Sequence, residues 1–342
     1  MAQTELPELS ADALLITGAT GFVGGAFVRR LLRSGAAAGS LRCLVRDPKR
    51  AAVALPGVSL CHGDLGDAGG APSLLAAAAG VRTVVHLAGT LTGVRSADFD
   101  EVNAAGTARL VAAVEAAAPA AHFVLLSSLA AAGPSCDGVA SSLPPDRAQP
   151  VSFYGHSKRR GELAVVQSRL RWTIVRPPVV YGEGDAATRL LFRQACAPVT
   201  AVPKRARPLS VIHVDDVVAA LLAVLRVRPH GAILPLDGIE RTDTHALLRA
   251  IAQACGRRSR LLSVPMFVAS AAALVCDLVA RLRGKAGFFN RDKVREIAAS
   301  GWVADGGPAF ASVRFTPLVS LAEGLAAVAR AEGFLTSEPG AR

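Results

Sequence analysis

Aromatic residues are scarce in this chain: they make up 5% of its 342 residues, with two tyrosines and two tryptophans. A surface that binds nucleic acid interleaves aromatics with basic side chains. Short basic runs such as Lys204-Arg205-Ala206-Arg207 and Arg257-Arg258-Ser259-Arg260 lack them, so no nucleic-acid partner is expected despite a net charge of +11. An anionic ligand or a solvated surface accounts for that charge more simply. Paired cysteines are missing too. Cys43, Cys61, Cys136, Cys196, Cys255 and Cys276 are dispersed, with no Cys-x-x-Cys spacing. That argues against a disulfide frame or a metal site, and predicts reduced, mostly buried thiols in a cytoplasmic compartment. No apolar run reaches the roughly 18 to 20 residues needed to span a bilayer. The longest candidate, Val264 to Val279, is interrupted by Asp277. Met1 to Asp12 is polar and acidic, so no secretory signal is expected.

What is present is a hydrophobic content of 51% with 19% charge, the balance of a chain that can bury a core as one large domain or two smaller ones. Ala13 to Thr17 is a short apolar run that predicts a buried strand. It leads into Gly18-Ala19-Thr20-Gly21-Phe22-Val23-Gly24 and a helical pattern from Phe22 to Arg33. Strand, glycine-rich turn and helix together can cradle a pyrophosphate, because the helix N-terminus offers unpaired N–H groups and glycine lets the backbone come close. The spacing is G-x-x-G-x-x-G rather than the general G-x-G-x-x-G.

Further strands are expected at Leu41 to Val45, Val58 to Cys61, Thr83 to Leu87 and His122 to Leu126, with a helix from Asp98 to Ala117 carrying Asn103. Such alternation predicts an α/β fold built on a doubly wound parallel sheet, which binds ligands beyond the carboxyl ends of its strands. At the second strand's end, Arg46 with Lys49 or Arg50 behind it favours a 2′-phosphate and hence NADP, while Asp47 leaves NAD open. Asp64 reads either as an acceptor for an adenine amino group or as a turn aspartate. Ala88-Gly89 and Ser127-Ser128 fall at the same sheet edge. His86 reads as a packed histidine.

Tyr154 and Lys158 lie four apart in a segment, Ser152 to Ser168, that reads as helix, so their side chains leave on one face. The chain has only five lysines among 38 basic Lys and Arg residues and two tyrosines, which makes the pair conspicuous. A phenol beside an ammonium is a candidate proton donor and acceptor, and the positive charge is expected to lower the phenol's pKa.

With these residues the chain resembles the extended short-chain dehydrogenase/reductases, the NAD-dependent epimerase/dehydratase family. The matching stretches are Thr17 to Gly24, His86 to Gly89, Val102 to Thr107, Ser127-Ser128, Tyr154 to Lys158, Arg176 to Gly182 and Ile212 to Asp216. The resemblance implies that Tyr154 is the acid/base. It makes Lys158 the residue that holds the nicotinamide ribose and depresses the Tyr154 pKa, and Ser128 (Ser127 in reserve) the donor to the reacting oxygen. Asn103 would brace the active-site helix. Gly18, Thr20, Gly21, Phe22, Val23, Gly24, Arg46, Asp64, Leu65, Leu87, Ala88, Gly89 and Pro177 would line the cofactor together with Tyr154 and Lys158. Tyr181 is expected to pack or to line the substrate cleft.

Two departures from similar family members narrow the chemistry. Leu129, Ala130 and Ala131 follow Ser128 where sugar-nucleotide dehydratases carry an acidic pair, so a dehydratase is not expected. Arg207 lies two positions too early to pair a sugar-nucleotide diphosphate as epimerases do. The leading expectation is an NAD(P)-dependent oxidoreductase passing hydride between nicotinamide and a secondary alcohol or ketone. A sugar-nucleotide epimerase is the enzymatic alternative, and a non-catalytic dinucleotide-binding subunit the other.

The expected Rossmann domain comprises 1–178 plus 210–236. A smaller, mostly helical cap for a small-molecule substrate comprises 179–209 plus 237–342, with helices at Thr188 to Cys196, Thr244 to Cys255, Pro265 to Arg283, Arg291 to Ala299 and Leu321 to Ala331. Phe267, Ala271, Leu274, Leu278 and Leu282 share one helical face, followed by Arg281, Arg283, Lys285 and Phe288-Phe289. A cap helix packed on the sheet, or the helix of a homodimer, is the simpler account of it. Peripheral membrane contact is the other.

Overall fold

In the computed structural model, residues 14–335 are described except 284–286 and 288, so Met1 to Asp12, Lys285 and Phe288 lie outside the described residues. Among the described residues twelve strands follow one another: β1 Leu14–Thr17, β2 Leu41–Val45, β3 Ser59–His62, β4 Thr83–His86, β5 His122–Leu126, β6 Arg171–Arg176, β7 Val179–Tyr181, β8 Val199–Pro203, β9 Pro208–His213, β10 Ala232–Pro235, β11 Arg241–Asp243 and β12 Arg260–Val264. Seven of them form one parallel sheet in the order β10-β6-β5-β4-β1-β2-β3. The order reverses between β1 and β4, the switch point of a Rossmann sheet, where a crevice opens at the carboxyl ends. Register carries the site residues to that edge together, because Thr17 pairs with both Leu44 and His86, and His86 with Leu125.

β1, β4 and β5 are buried along their whole length, which is why they read as unbroken apolar runs rather than as alternation. Helices Phe22–Arg33 and Val214–Val227 bury Phe27, Leu31, Val217 and Leu221 on one face of the sheet. Helices Gly106–Ala117 and Phe153–Val166 bury Leu110, Val114 and Val165 on the other. Each such side chain contributes about 1.5–3 kcal/mol over leaving it in water. A third cluster joins Tyr181, Phe192, Ile251, Leu325 and Val328, with β9 between β7 and the antiparallel β11. Tyr181 is therefore packed, its ring edge-on to His213 at 5.3 Å.

Pro198 to Pro208 contains β8, which pairs in parallel with β12; each partner lies 61 residues away, beyond any local pattern. Two expectations need correction. The thiols are all free, but only Cys43 and Cys255 are buried, and Cys136 and Cys276 are exposed. Helix Met266–Arg283 does not pack on the sheet. It lies against the helix Arg291–Ala298 and buries only Ala273 among its described residues.

Candidate active site

Gly18 has φ +71°, and a Cβ there would stand 2.5 Å from Ala88 N, at the end of β4. A Cβ on Gly24 would stand 2.0 Å from Gly18 O. Turn, helix and neighbouring strand thus meet backbone to backbone, which no other residue type permits. Gly21 N–H donates to Gly18 O at 2.9 Å and closes the turn. The helix that follows begins at Phe22 with no capping side chain and no acidic residue in its first turn. Its N–H groups remain available to an anion, so the cradle fits a dinucleotide pyrophosphate. Thr20 and Gly21 are exposed at its rim, and Phe22 and Val23 are half-buried.

At the end of β2, the Asp47 carboxylate accepts from Arg50 N–H at 3.1 Å and caps the helix Pro48–Ala54. Arg46 is exposed and makes no hydrogen bond or ion pair among the described residues. Asp64 accepts from Gly66 N–H at 2.9 Å, the turn geometry, while Leu65 is buried and its carbonyl accepts from Arg109.

At the end of β4, Thr17 Oγ1 lies 2.6 Å from His86 Nδ1 and accepts from Ala88 N–H at 3.3 Å. His86 is fully buried, bonded also to Thr107, and burial reinforced by the Lys158 charge pushes its pKa down to about 3. It is a neutral packed histidine. Leu87 N–H donates to Thr17 O. The helix expected from Asp98 to Ala117 is interrupted by a π turn, Glu101–Ala105. Such turns widen the helix by a residue and occur at functional sites. Here the turn carries Asn103, which donates to Thr90 O and Ser157 Oγ, both at 3.0 Å, and accepts from Thr90 N–H at 2.9 Å. Asn103 thereby ties the loop after β4 to the helix Phe153–Val166. Gly89 sits where a Cβ would be 3.1 Å from Asn103 Oδ1 and 3.5 Å from Lys158 Nζ.

The end of β5 gathers the remaining groups. Lys158 is buried and donates to Leu126 O at 2.8 Å. Ser128 accepts from Ala130 N–H at 3.1 Å, and its hydroxyl stands close enough to the Tyr154 phenol to pull its pKa down. Ser127 is buried with its hydroxyl unpartnered among the described residues. Pro177, buried, accepts from Leu129 N–H at 2.8 Å. The expected lowering of the Tyr154 pKa is not what this geometry produces. Burial pushes it up, Ser128 pulls it down less, and Glu296 raises it further. Lys158 does not count among its perturbers, because its ammonium is turned to Leu126 O.

Burial lowers Lys158 from 10.5 to about 8, partly offset by Glu162. Between those values the unfolded chain holds a proton that the native chain has released, so Lys158 by itself adds about 2 kcal/mol of stability between about pH 8 and about pH 10. The thiols of Cys43 and Cys255, pushed up to about 12 chiefly by burial, oppose that gain over the same range. Lys158→Met is expected to lose about 2 kcal/mol more stability than wild type on going from the lower to the higher pH, read in urea titrations at the two values.

Two supports were not anticipated. Arg176 and Glu162, both fully buried, pair through two hydrogen bonds of 2.9 and 2.6 Å, and Arg176 also donates to Ser141 O and Leu143 O. Asp292, 139 residues further along the chain, accepts from Phe153 N–H at 2.7 Å and from Tyr154 N–H at 3.4 Å. It satisfies the first turn of the tyrosine helix, where Ser152 caps Gly155 N–H. Beside it lies a cavity of about 270 Å³ lined by Phe99, Phe153, Ala280, Phe289, Asp292 and Arg295 among others. Tyr154 does not line it, but its ring meets Phe99 edge-on at 6.4 Å. Among the described residues no cluster of His, Cys, Asp or Glu could hold a metal.

Comparison with known proteins gives this geometry its kin. The ceramide reductase of Caulobacter vibrioides is 35% identical over 301 residues, covering 86% of each chain. A (4-alkanoyl-5-oxo-2,5-dihydrofuran-3-yl)methyl phosphate reductase of Streptomyces griseus subsp. griseus is 34% identical over 164 residues, 48% of this chain and 46% of that protein. Among solved structures, gox2253 superposes with a TM-score of 0.73 at 25% identity, over 95% of this chain and all of that one. MoeE5 with UDP-glucuronic acid and NAD shares the fold, with a TM-score of 0.69 at 24% identity, over 94% and 99% of the two chains. The model of the NAD-dependent epimerase/dehydratase family matches residues 14–234, and the chain belongs to that family.

Proposed function

We propose that this family oxidoreductase is an NADP-preferring reductase that converts a long-chain ketone of the ceramide class to the secondary alcohol. The reading rests on one observation, the meeting of Ser128, Tyr154 and Lys158 at the end of β5. The substrate class follows from the ceramide reductase relative, which matches most of this chain. Bound nicotinamide supplies the hydride. Tyr154 gives its proton to the carbonyl oxygen, a role that its upward-shifted pKa suits because the phenol stays protonated at neutral pH. Ser128 steadies the same oxygen by hydrogen bonding. Lys158, anchored by Leu126 O, has further N–H groups for the nicotinamide ribose, and Asn103 keeps its helix and the Gly89 loop in register. Residues 1–178 plus 210–236 bind the dinucleotide, and 179–209 plus 237–342 form the substrate cap.

NADP preference is inferred from Arg46, whose guanidinium has no competing partner among the described residues, beside an Asp47 already committed to a helix cap. Arg46→Ala is expected to raise the KM for NADPH by roughly 10-fold or more and leave that for NADH unchanged, read from initial rates. The reading as a whole is tested with purified protein, NADPH and a long-chain ketone. One NADPH consumed per alcohol formed supports it. Cofactor retained through gel filtration with no net consumption supports the epimerase instead.

A further inference from the structure

Helix Met266–Arg283 wears its amphipathic pattern inside out. Ala273 is its buried side chain, while Phe267, Leu274, Val275, Leu278 and Leu282 are between 53% and 80% exposed. At 3.6 residues per turn these five, with Val268 and Val279, share a continuous arc of about 140° along about 24 Å of helix. Globular proteins seldom leave so large a contiguous apolar face in water. The helix is too short and polar at its end to cross a bilayer, and no helix among the described residues meets that requirement.

We propose that this face docks the protein on the surface of an anionic bilayer. Charge selects that partner. Between Asp243 and Asp292 the sequence has one acidic residue, Asp277, and Asp277 is paired with Arg291 at 2.7 Å. The same interval holds Arg257, Arg258 and Arg260 before the helix and Arg281, Arg283 and Lys285 at its end. Large apolar side chains in a stretch so rich in basic residues and so poor in acidic ones are what a helix lying in the headgroup layer requires. A second copy of this chain would bring those like charges together. The opposite side of the same helix supplies Cys276, Asp277 and Ala280 to the wall of the cavity that ends at Phe99 and Phe153. The docked helix therefore stands between the lipid layer and the residues flanking Tyr154. This deepens the reductase reading, on which the identity of the delivered molecule rests; the docking itself does not rest on it.

The test sediments the full-length protein, without ketone, with vesicles of phosphatidylcholine alone or mixed with phosphatidylglycerol. Wild type is expected to bind the mixed vesicles, less so as salt is raised. Leu274→Glu/Leu278→Glu is expected to bind them at least roughly 100-fold more weakly. Both positions point to solvent, so the variant should keep its NADPH-dependent thermal shift, which reads folding independently of the reductase reading. It should also keep its turnover of a short, water-soluble ketone. Failure of wild type to sediment with mixed vesicles, or equal binding by the variant, would overturn the proposal. So would a wild-type dimer that the variant splits and that ignores vesicles. If vesicles bind as expected but no ketone is reduced, the docking stands and the substrate reading falls.

Discussion

Tyr154→Phe is expected to lower turnover of the ketone by roughly 100- to 10,000-fold with little change in KM. The substitution removes one hydroxyl, the one beside Ser128, and leaves the ring against Phe99. Nothing else near the carbonyl replaces the lost proton donor. Lys158 is held by Leu126 O, and the Ser128 hydroxyl, a far weaker acid than a phenol, can hydrogen-bond the oxygen but not protonate it. The loss should therefore fall on kcat, because the cofactor cradle at Gly18 to Gly24 is untouched. Steady-state rates together with a NADPH thermal shift separate the two. An unchanged kcat would remove Tyr154 from the chemistry.

Glu162→Ala is the corresponding test of the scaffold, with an expected loss of about 3–5 kcal/mol of stability. Its partner Arg176 is fully buried, so deletion of the carboxylate strands a guanidinium whose remaining bonds, to Ser141 O and Leu143 O, do not neutralise it. Lys158 lies one helical turn before Glu162, and the carboxylate raises its pKa. The variant is expected to lose activity as well, by shifting Lys158 further down. Urea unfolding at neutral pH reads the first effect, and the alkaline limb of the rate profile moving to lower pH reads the second. Loss of less than about 1 kcal/mol would mean that water reaches Arg176.

What could be read along the chain was local. The glycine turn announces itself because strand, turn and helix are contiguous, and Phe22–Arg33 and Leu41–Val45 have the bounds expected of them. Tyr154 and Lys158 stand four apart on one helix, so their shared face follows from helix geometry alone. Partners set by the fold were silent. The π turn at Glu101–Ala105 carries no propensity signal in the sequence Glu-Val-Asn-Ala-Ala, and only the Thr90 and Ser157 contacts reveal why Asn103 sits there. Nothing in the sequence around Asp292 marks it out, and only its bonds to Phe153 and Tyr154 place it at the start of the tyrosine helix. The Tyr154 pKa went the other way because i,i+4 spacing fixes where side chains leave a helix, not where their ends go. Lys158 ends on a strand carbonyl, and burial outweighs the pull of Ser128 on Tyr154. The helix Met266–Arg283 was legible as an apolar stripe, but which way the stripe faces depends on what packs behind it.

The most direct measurement follows a deuterium from NADPH labelled at the nicotinamide C4 into the product. Label from one face of the ring is expected on the carbinol carbon of the lipid alcohol, one deuterium per NADPH oxidised. An inverted sugar carbon with no label and no net oxidation of cofactor would contradict it.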